Sequence, residues 1–154
     1  MDQMELPAPR YVDCGARHVA GLTGSYTREQ TGEIPKQWEQ FNGELYRSGL
    51  PYVYTLGVVY PLATMQYVSG VEIEPDAARP EGWVEVTVPP QRYAVFAGAG
   101  GIPTIRRFFA AIFMDWLPKS GRKVAEGPMI ERYPESWVTS GDFEIWIPVD
   151  GDGF

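Results

Sequence analysis

A Gly-x-Ile-Pro opening followed by a helical apolar pattern occurs twice in this sequence, as GEIPKQWEQF from Gly32 to Phe41 and as GGIPTIRRFF from Gly100 to Phe109. Pro35 and Pro103 fall where a first-turn proline is tolerated, because the missing N–H had no intrahelical partner. Trp38, Phe41 and Leu45, and then Ile105, Phe108, Phe109, Ile112, Phe113 and Trp116, recur at steps of three and four. Each copy therefore predicts a helix with one apolar face.

The echo extends to the flanks. ARHVAGLTGSYT and WVEVTVPPQRYAVFAGAG, both rich in β-branched and aromatic residues, read as strand pairs ahead of each helix. YVYTLGVVYP and MQYVSGVEIEP follow the first helix, GPMIERYPE and DFEIWIPV the second. Tyr60-Pro61 answers Tyr133-Pro134, and Pro75 answers Pro148, at one shared separation. The simplest account is a duplicated strand-helix-strand-strand unit, with repeat 1 at about 10–75 and repeat 2 at about 83–150, in a single domain over 1–154. PDAARPEG, from Pro75 to Gly82, is the joint, too short to separate independent domains. The predicted fold is α+β: an antiparallel sheet with helices on one face and a ligand groove at the pseudo-twofold seam. GAGG, from Gly98 to Gly101, lacks the Lys-Ser/Thr of a phosphate loop and reads as the turn into the second helix. That helix is expected to stop in WLPKSG, where Pro118 breaks the ladder and Gly121 permits a turn.

Composition narrows the function classes. A chain of 154 residues can bury roughly 70% of its unfolded surface, enough for one real core. The net charge is −7 and the 13 Lys and Arg are scattered, which leaves no electrostatic footprint for a phosphate backbone. The longest apolar stretch, Phe108 to Leu117, contains Asp115 and is shorter than the ~20 residues of a membrane span. The chain reads as cytoplasmic, with no direct nucleic-acid or membrane partner; monomer and homodimer both stay open. Cys14 is the single cysteine and reads as a structural thiol, since no base lies near it in sequence; His18, the single histidine, has no second ligand to build a metal site or a triad. No metal and no cofactor are expected.

Aromatic residues make 14% of the chain, more than a core of this size needs, so some rings are expected to face something else. GPMIERYPESW, from Gly127 to Trp137, places one acid, Glu131, among such residues. Strand alternation puts Met129, Glu131 and Tyr133 on one face, and Glu144, Trp146 and Pro148 on one face of the next strand. If both faces meet the groove, Glu131 lies among Tyr133, Trp146 and first-half rings such as Tyr54, Tyr60 or Tyr67, with Trp38 near a bound ring. Flat apolar walls with one anionic spot suit a large delocalised cation. The competing reading pairs Glu131 with Arg132 or a lysine, or leaves it solvated on a strand face.

The ordered series IP..W..F, LGVVY, VTVPPQRYAVFAGAGGIPTI, WLPKSG, PMIERYPE and EIWIPV resembles the GyrI-like small-molecule-binding family, the effector-binding domain of AraC-type and MerR-type multidrug regulators. The resemblance runs from about Tyr11 to Val149. It implies a tandem strand-helix-strand-strand fold and a groove acid at Glu131, in a Pro-x-x-Glu-x-Tyr motif formed by Pro128, Glu131 and Tyr133, with Trp146 at the position of a groove aromatic. With only about ten residues ahead of the first strand, the chain is expected to be free-standing, without a DNA reader. The ligand site implied comprises Glu131, Trp146, Tyr133, Met129, Trp38, Tyr54, Tyr60 and Tyr67. Binding of amphipathic, often cationic small molecules ranks first. Hydrolysis of strained electrophiles of the cyclopropane type, with Glu131 as general base, and a gyrase-inhibitor-like protein interaction are the alternatives.

Overall fold

The computed structural model describes residues 5–150. Strands β1 (Arg10–Cys14) and β2 (Arg17–Tyr26) lead through a 3-10 turn into helix α1 (Ile34–Ser48), followed by β3 (Tyr54–Tyr60) and β4 (Met65–Glu72). Strands β5 (Val84–Val88) and β6 (Gln91–Gly98) lead into α2 (Ile102–Ala111) and the single turn α3 (Leu117–Ser120), followed by β7 (Met129–Pro134), α4 (Trp137–Ser140) and β8 (Phe143–Val149). Both Gly-x-Ile-Pro segments start helices as predicted, with the proline in the first turn. Gly100 and Gly101, at φ 109° and 76°, make the turn that the GAGG segment was expected to supply.

All pairings are antiparallel, in one eight-stranded sheet of order β1-β6-β8-β7-β3-β4-β2-β5. The α+β expectation holds, and the order mirrors about the central β7–β3 pair. One expectation is corrected: ARHVAGLTGSYT is a single ten-residue strand, β2, and not a strand pair. Its second neighbour comes from the other half, since β2 pairs with β5, while β1 pairs with β6. Only Gly15-Ala16 separate β1 from β2, and Pro89-Pro90 separate β5 from β6, although each link joins opposite ends of the strand order. The sheet must therefore curl until its ends meet.

Register assigns the faces. Ala20 opposes Val71, Ser69 opposes Gly57, Gly57 opposes Glu131, Glu131 opposes Ile145 and Ile145 opposes Phe96, so these residues share one face. That face takes the helices. Phe41 and Leu45 of α1 pack on Ala20 and Val71, while Ile105 and Phe108 of α2 pack on Phe96 and Ile145. The opposite face lies inside the curl, where Val19, Val58, Val68, Val88, Tyr93 and Trp146 form one buried cluster drawn from both ends of the sheet. A chain of this length can bury both faces only by such curling, because its helices are too few to cover two.

The second helix ends within WLPKSG at Gly121, as expected, but not at its proline. Pro118 does not stop it: residues Ile112–Trp116 form a π turn, and α3 runs on to Ser120, where Gly121 at φ 74° ends the helix. The widened turn gives the chain an extra residue just ahead of the proline. It also rotates the apolar stripe, so Ile112 is buried whereas Phe113, expected on the inward face, is 37% exposed.

Candidate binding site

The site starts at Gly57. A Cβ there would stand 2.7 Å from Glu131 Oε1 and closer still to the Tyr67 hydroxyl, so only glycine lets the two groups meet over β3. Tyr67, from β4, donates its hydroxyl to Glu131 Oε1, and Tyr133, two residues along β7, donates to the same oxygen at 2.8 Å. The Trp38 indole N–H, from α1, donates to the Tyr67 oxygen at 2.9 Å. N–H, phenol and carboxylate thus form one relay in which each bond polarises the next.

Among the described residues Glu131 has no ion-pair partner and its Oε2 accepts no hydrogen bond. Burial raises its carboxyl above the usual carboxylate range, and the two phenol bonds pull the other way without cancelling the rise. Tyr67 and Tyr133 are pushed well above the ordinary phenol range, first by burial and then by the charge of Glu131. Rings pack around the acid's phenol partner Tyr133: Trp38 meets it edge-on at 5.6 Å, and Trp137 of α4 tilts against it at 4.7 Å.

Helix α1 is held in place by Gln37, a buried polar residue that the apolar pattern did not single out. Its side-chain amide donates to the Leu22 and Tyr67 carbonyls at 3.1 and 3.0 Å and accepts from the Tyr26 hydroxyl at 2.5 Å. The strand carrying Tyr67 and the helix carrying Trp38 are pinned at one point. Two cavities flank the cluster without reaching Glu131: one of about 360 Å³ beside Gln37 and Tyr26, and one of about 470 Å³ beside Tyr54 and Pro134.

Of the eight residues singled out from sequence, Glu131, Tyr133, Tyr67 and Trp38 come together, and Met129 shares their face of the sheet. The expectation that Trp146 lies beside Glu131 is corrected. Trp146 opposes Ile130, not Glu131, so its ring points into the curl, where it is 2% exposed. Tyr54 and Tyr60 alternate with Gly57 and go the same way, packing on the inner cluster. Trp146 there donates to Glu144 at 3.1 Å and lies under the Arg17 and Arg132 guanidinium groups at 4.5 and 5.1 Å. Arg132 pairs with Glu144 at 2.7 Å and not with Glu131, as strand alternation requires. Trp137 was missed although it ends the same GPMIERYPESW segment; only the turn of α4 brings it back over Tyr133.

Residues 12–149 match the family model of Cass2, described as integron-associated effector binding protein. The chain belongs to the Cass2 family. Among curated proteins it is 29% identical over 150 residues to the transcriptional regulator BrlR of Pseudomonas aeruginosa; the match takes 91% of this chain but 54% of BrlR, about half of that relative. In fold, this Cass2-family chain matches SAV2435 solved with tetraphenylphosphonium, with a TM-score of 0.74 at 20% identity, over 96% of this chain and 95% of that one. It also matches an integron cassette protein from the mobile metagenome of Vibrio cholerae, with a TM-score of 0.67 at 17% identity, over 94% and 97% of the two chains. The effector-binding family and the GyrI-like fold expected from the motifs are thereby established.

Proposed function

We propose that this Cass2-family chain binds large, poorly hydrated organic cations against Glu131, on the helix face between Trp38, Tyr67 and Tyr133. The observation that carries the reading is an acid with neutral donors on one oxygen, no ion pair with a cation among the described residues, and rings on its flanks. A carboxylate so placed lacks a counter-ion, and a ligand cation would supply it. A delocalised cation loses little hydration on entry and gains about 0.5–2 kcal/mol from each ring face it meets. The ligand seen in SAV2435, a phosphonium ringed by phenyl groups, has this chemistry.

Isothermal titration with tetraphenylphosphonium and with neutral triphenylphosphine oxide tests the reading. Glu131→Gln keeps volume and removes the charge, so it is expected to weaken the phosphonium by about 1.5–3 kcal/mol and the neutral oxide by less than about 0.5 kcal/mol. Phosphonium affinity is expected to rise with pH through the raised carboxyl pKa and then level off, because the cation favours the ionised form. Equal losses for both ligands, or no loss for either, would overturn the reading.

A further inference from the structure

Inside the curl, on the face away from Glu131, β1 and β6 bring a thiol and a phenol together. Val12 opposes Tyr93, and Cys14 lies two residues along β1, so the thiol and the Tyr93 ring share a face one diagonal step apart. Arg17, across the two-residue link, donates Nη2 to the Cys14 sulfur at 2.7 Å, and its side chain is 10% exposed. Its other terminal nitrogen, Nη1, is buried and makes no hydrogen bond; the Glu72 carboxylate stands 3.8 Å away. The Tyr93 hydroxyl is buried without a partner on a residue that is 0% exposed. Burial pushes this phenol up to about 12, Arg17 draws it back, and Cys14 and Tyr60 push it further, so these groups are near enough to act on one another.

A buried phenol that lacks an acceptor, on the same face as a sulfur that already accepts from a buried guanidinium, is an arrangement that a folded chain ordinarily avoids. An oxygen atom carried on that sulfur would give the Tyr93 hydroxyl an acceptor and remain within reach of the Arg17 guanidinium. We infer that Cys14 is a modification site: a small hydroperoxide oxidises its thiol to the sulfenic acid, and Arg17 and Tyr93 hold the added oxygen. The sulfur lone pair attacks the terminal peroxide oxygen, the S–O bond forms as the O–O bond breaks, and the departing hydroxide or alkoxide takes the thiol proton and leaves as water or alcohol. The Arg17 guanidinium offsets negative charge on the oxygen that departs. Cys14 is half-buried, which admits a small peroxide and slows a bulky one.

The folded protein is treated with hydrogen peroxide in the presence of a 1,3-dicarbonyl trap, and peptide mass mapping follows the adduct. The trap is the readout because five Met can take up oxygen as well. The expected result is an adduct at Cys14, absent from Cys14→Ser. In Tyr93→Phe and Arg17→Lys it should form about tenfold more slowly, the loss expected for one such hydrogen bond. Tyr93→Phe removes only a hydroxyl with no partner, so its fold, followed by thermal melting, is expected to survive. An adduct that appears only after unfolding, or at one rate in wild type and both variants, overturns the inference.

Discussion

Trp38 and Trp146 lie on opposite faces of one sheet, each donating its indole N–H and each close to a charged group. Around Trp146 the charges come in pairs: Arg10 and Arg132 reach Glu144 at 2.9 and 2.7 Å, and guanidinium groups already cover the ring. Burial works to raise Glu144, yet its bonds from Arg10 and Trp146 and the charge of Arg132 hold it below its ordinary range. On the Trp38 side the acid, Glu131, is raised above that range and has phenols for partners, with no ion pair among the described residues. A ring beside a charge is ready for a ligand only where the protein has not supplied the opposite charge itself. By that criterion the proposed cation site falls on the helix face and not on the inner one.

Replacing each indole is expected to break this comparison most visibly. Trp146→Ala removes a fully buried ring from the core and should cost about 3–5 kcal/mol in a denaturant melt. Trp38→Phe should cost less stability yet abolish most of the tryptophan quenching by tetraphenylphosphonium, whereas Trp146→Phe should retain it. Quenching that survives in Trp38→Phe and disappears in Trp146→Phe would exchange the roles of the two faces.

Gly57→Ala acts on the helix face alone. Its methyl group would collide with the Tyr67 hydroxyl and Glu131 Oε1, so the expected cost is about 1–3 kcal/mol of overpacking, with a larger proportional loss of phosphonium binding. Gly43→Ala is the control, because a Cβ there meets only the far end of the flexible Arg47 side chain at 3.4 Å. Similar melting and binding for both variants would show that the acid does not depend on its close approach to β3.

The smallest effect is a slope with pH. The Glu131 pKa is raised in the folded state, so between the unfolded and folded values the folded chain holds more protons and stability falls as pH rises. This contribution is full below the ordinary carboxylate pKa and is lost once pH passes the folded value. One proton limits the slope to about 1.4 kcal/mol per pH unit, and Glu131→Gln should remove it. Glu144→Gln should change stability in the opposite sense, because its depressed pKa contributes stability that is lost as pH falls. Equal slopes in wild type and Glu131→Gln would mean that the carboxyl is solvated.

Much of this was legible in the sequence because proline, glycine and apolar spacing act locally. Pro35 and Pro103 fixed two helix starts, and alternation correctly grouped Met129, Glu131 and Tyr133. Alternation within a strand cannot say which face of its neighbour it joins. That depends on register, and a shift of one residue moves every side chain across the sheet. The β7–β8 register sets Trp146 against Ile130, which is why the aromatic expected beside the acid lies on the far side. Gln37 escaped for a different reason: a polar residue on an apolar stripe is recognisable as buried only when its acceptors, here carbonyls of β2 and β4, are known. The pull of Pro118 was read correctly as a break in hydrogen bonding, but its relief by a π turn depends on packing against the sheet.

The exchanged strands bear on how the chain reaches its native state. β1 completes its pairing only on β6, and β5 only on β2, so each half lends an edge to the other. Neither half can finish its own sheet during synthesis. The closing pairings span about half of the sequence, and the loop entropy they require comes due before the inner cluster can reward it. Folding is thus expected to be a single late event, in which the curl, the two short links and the seam that carries Glu131 form together.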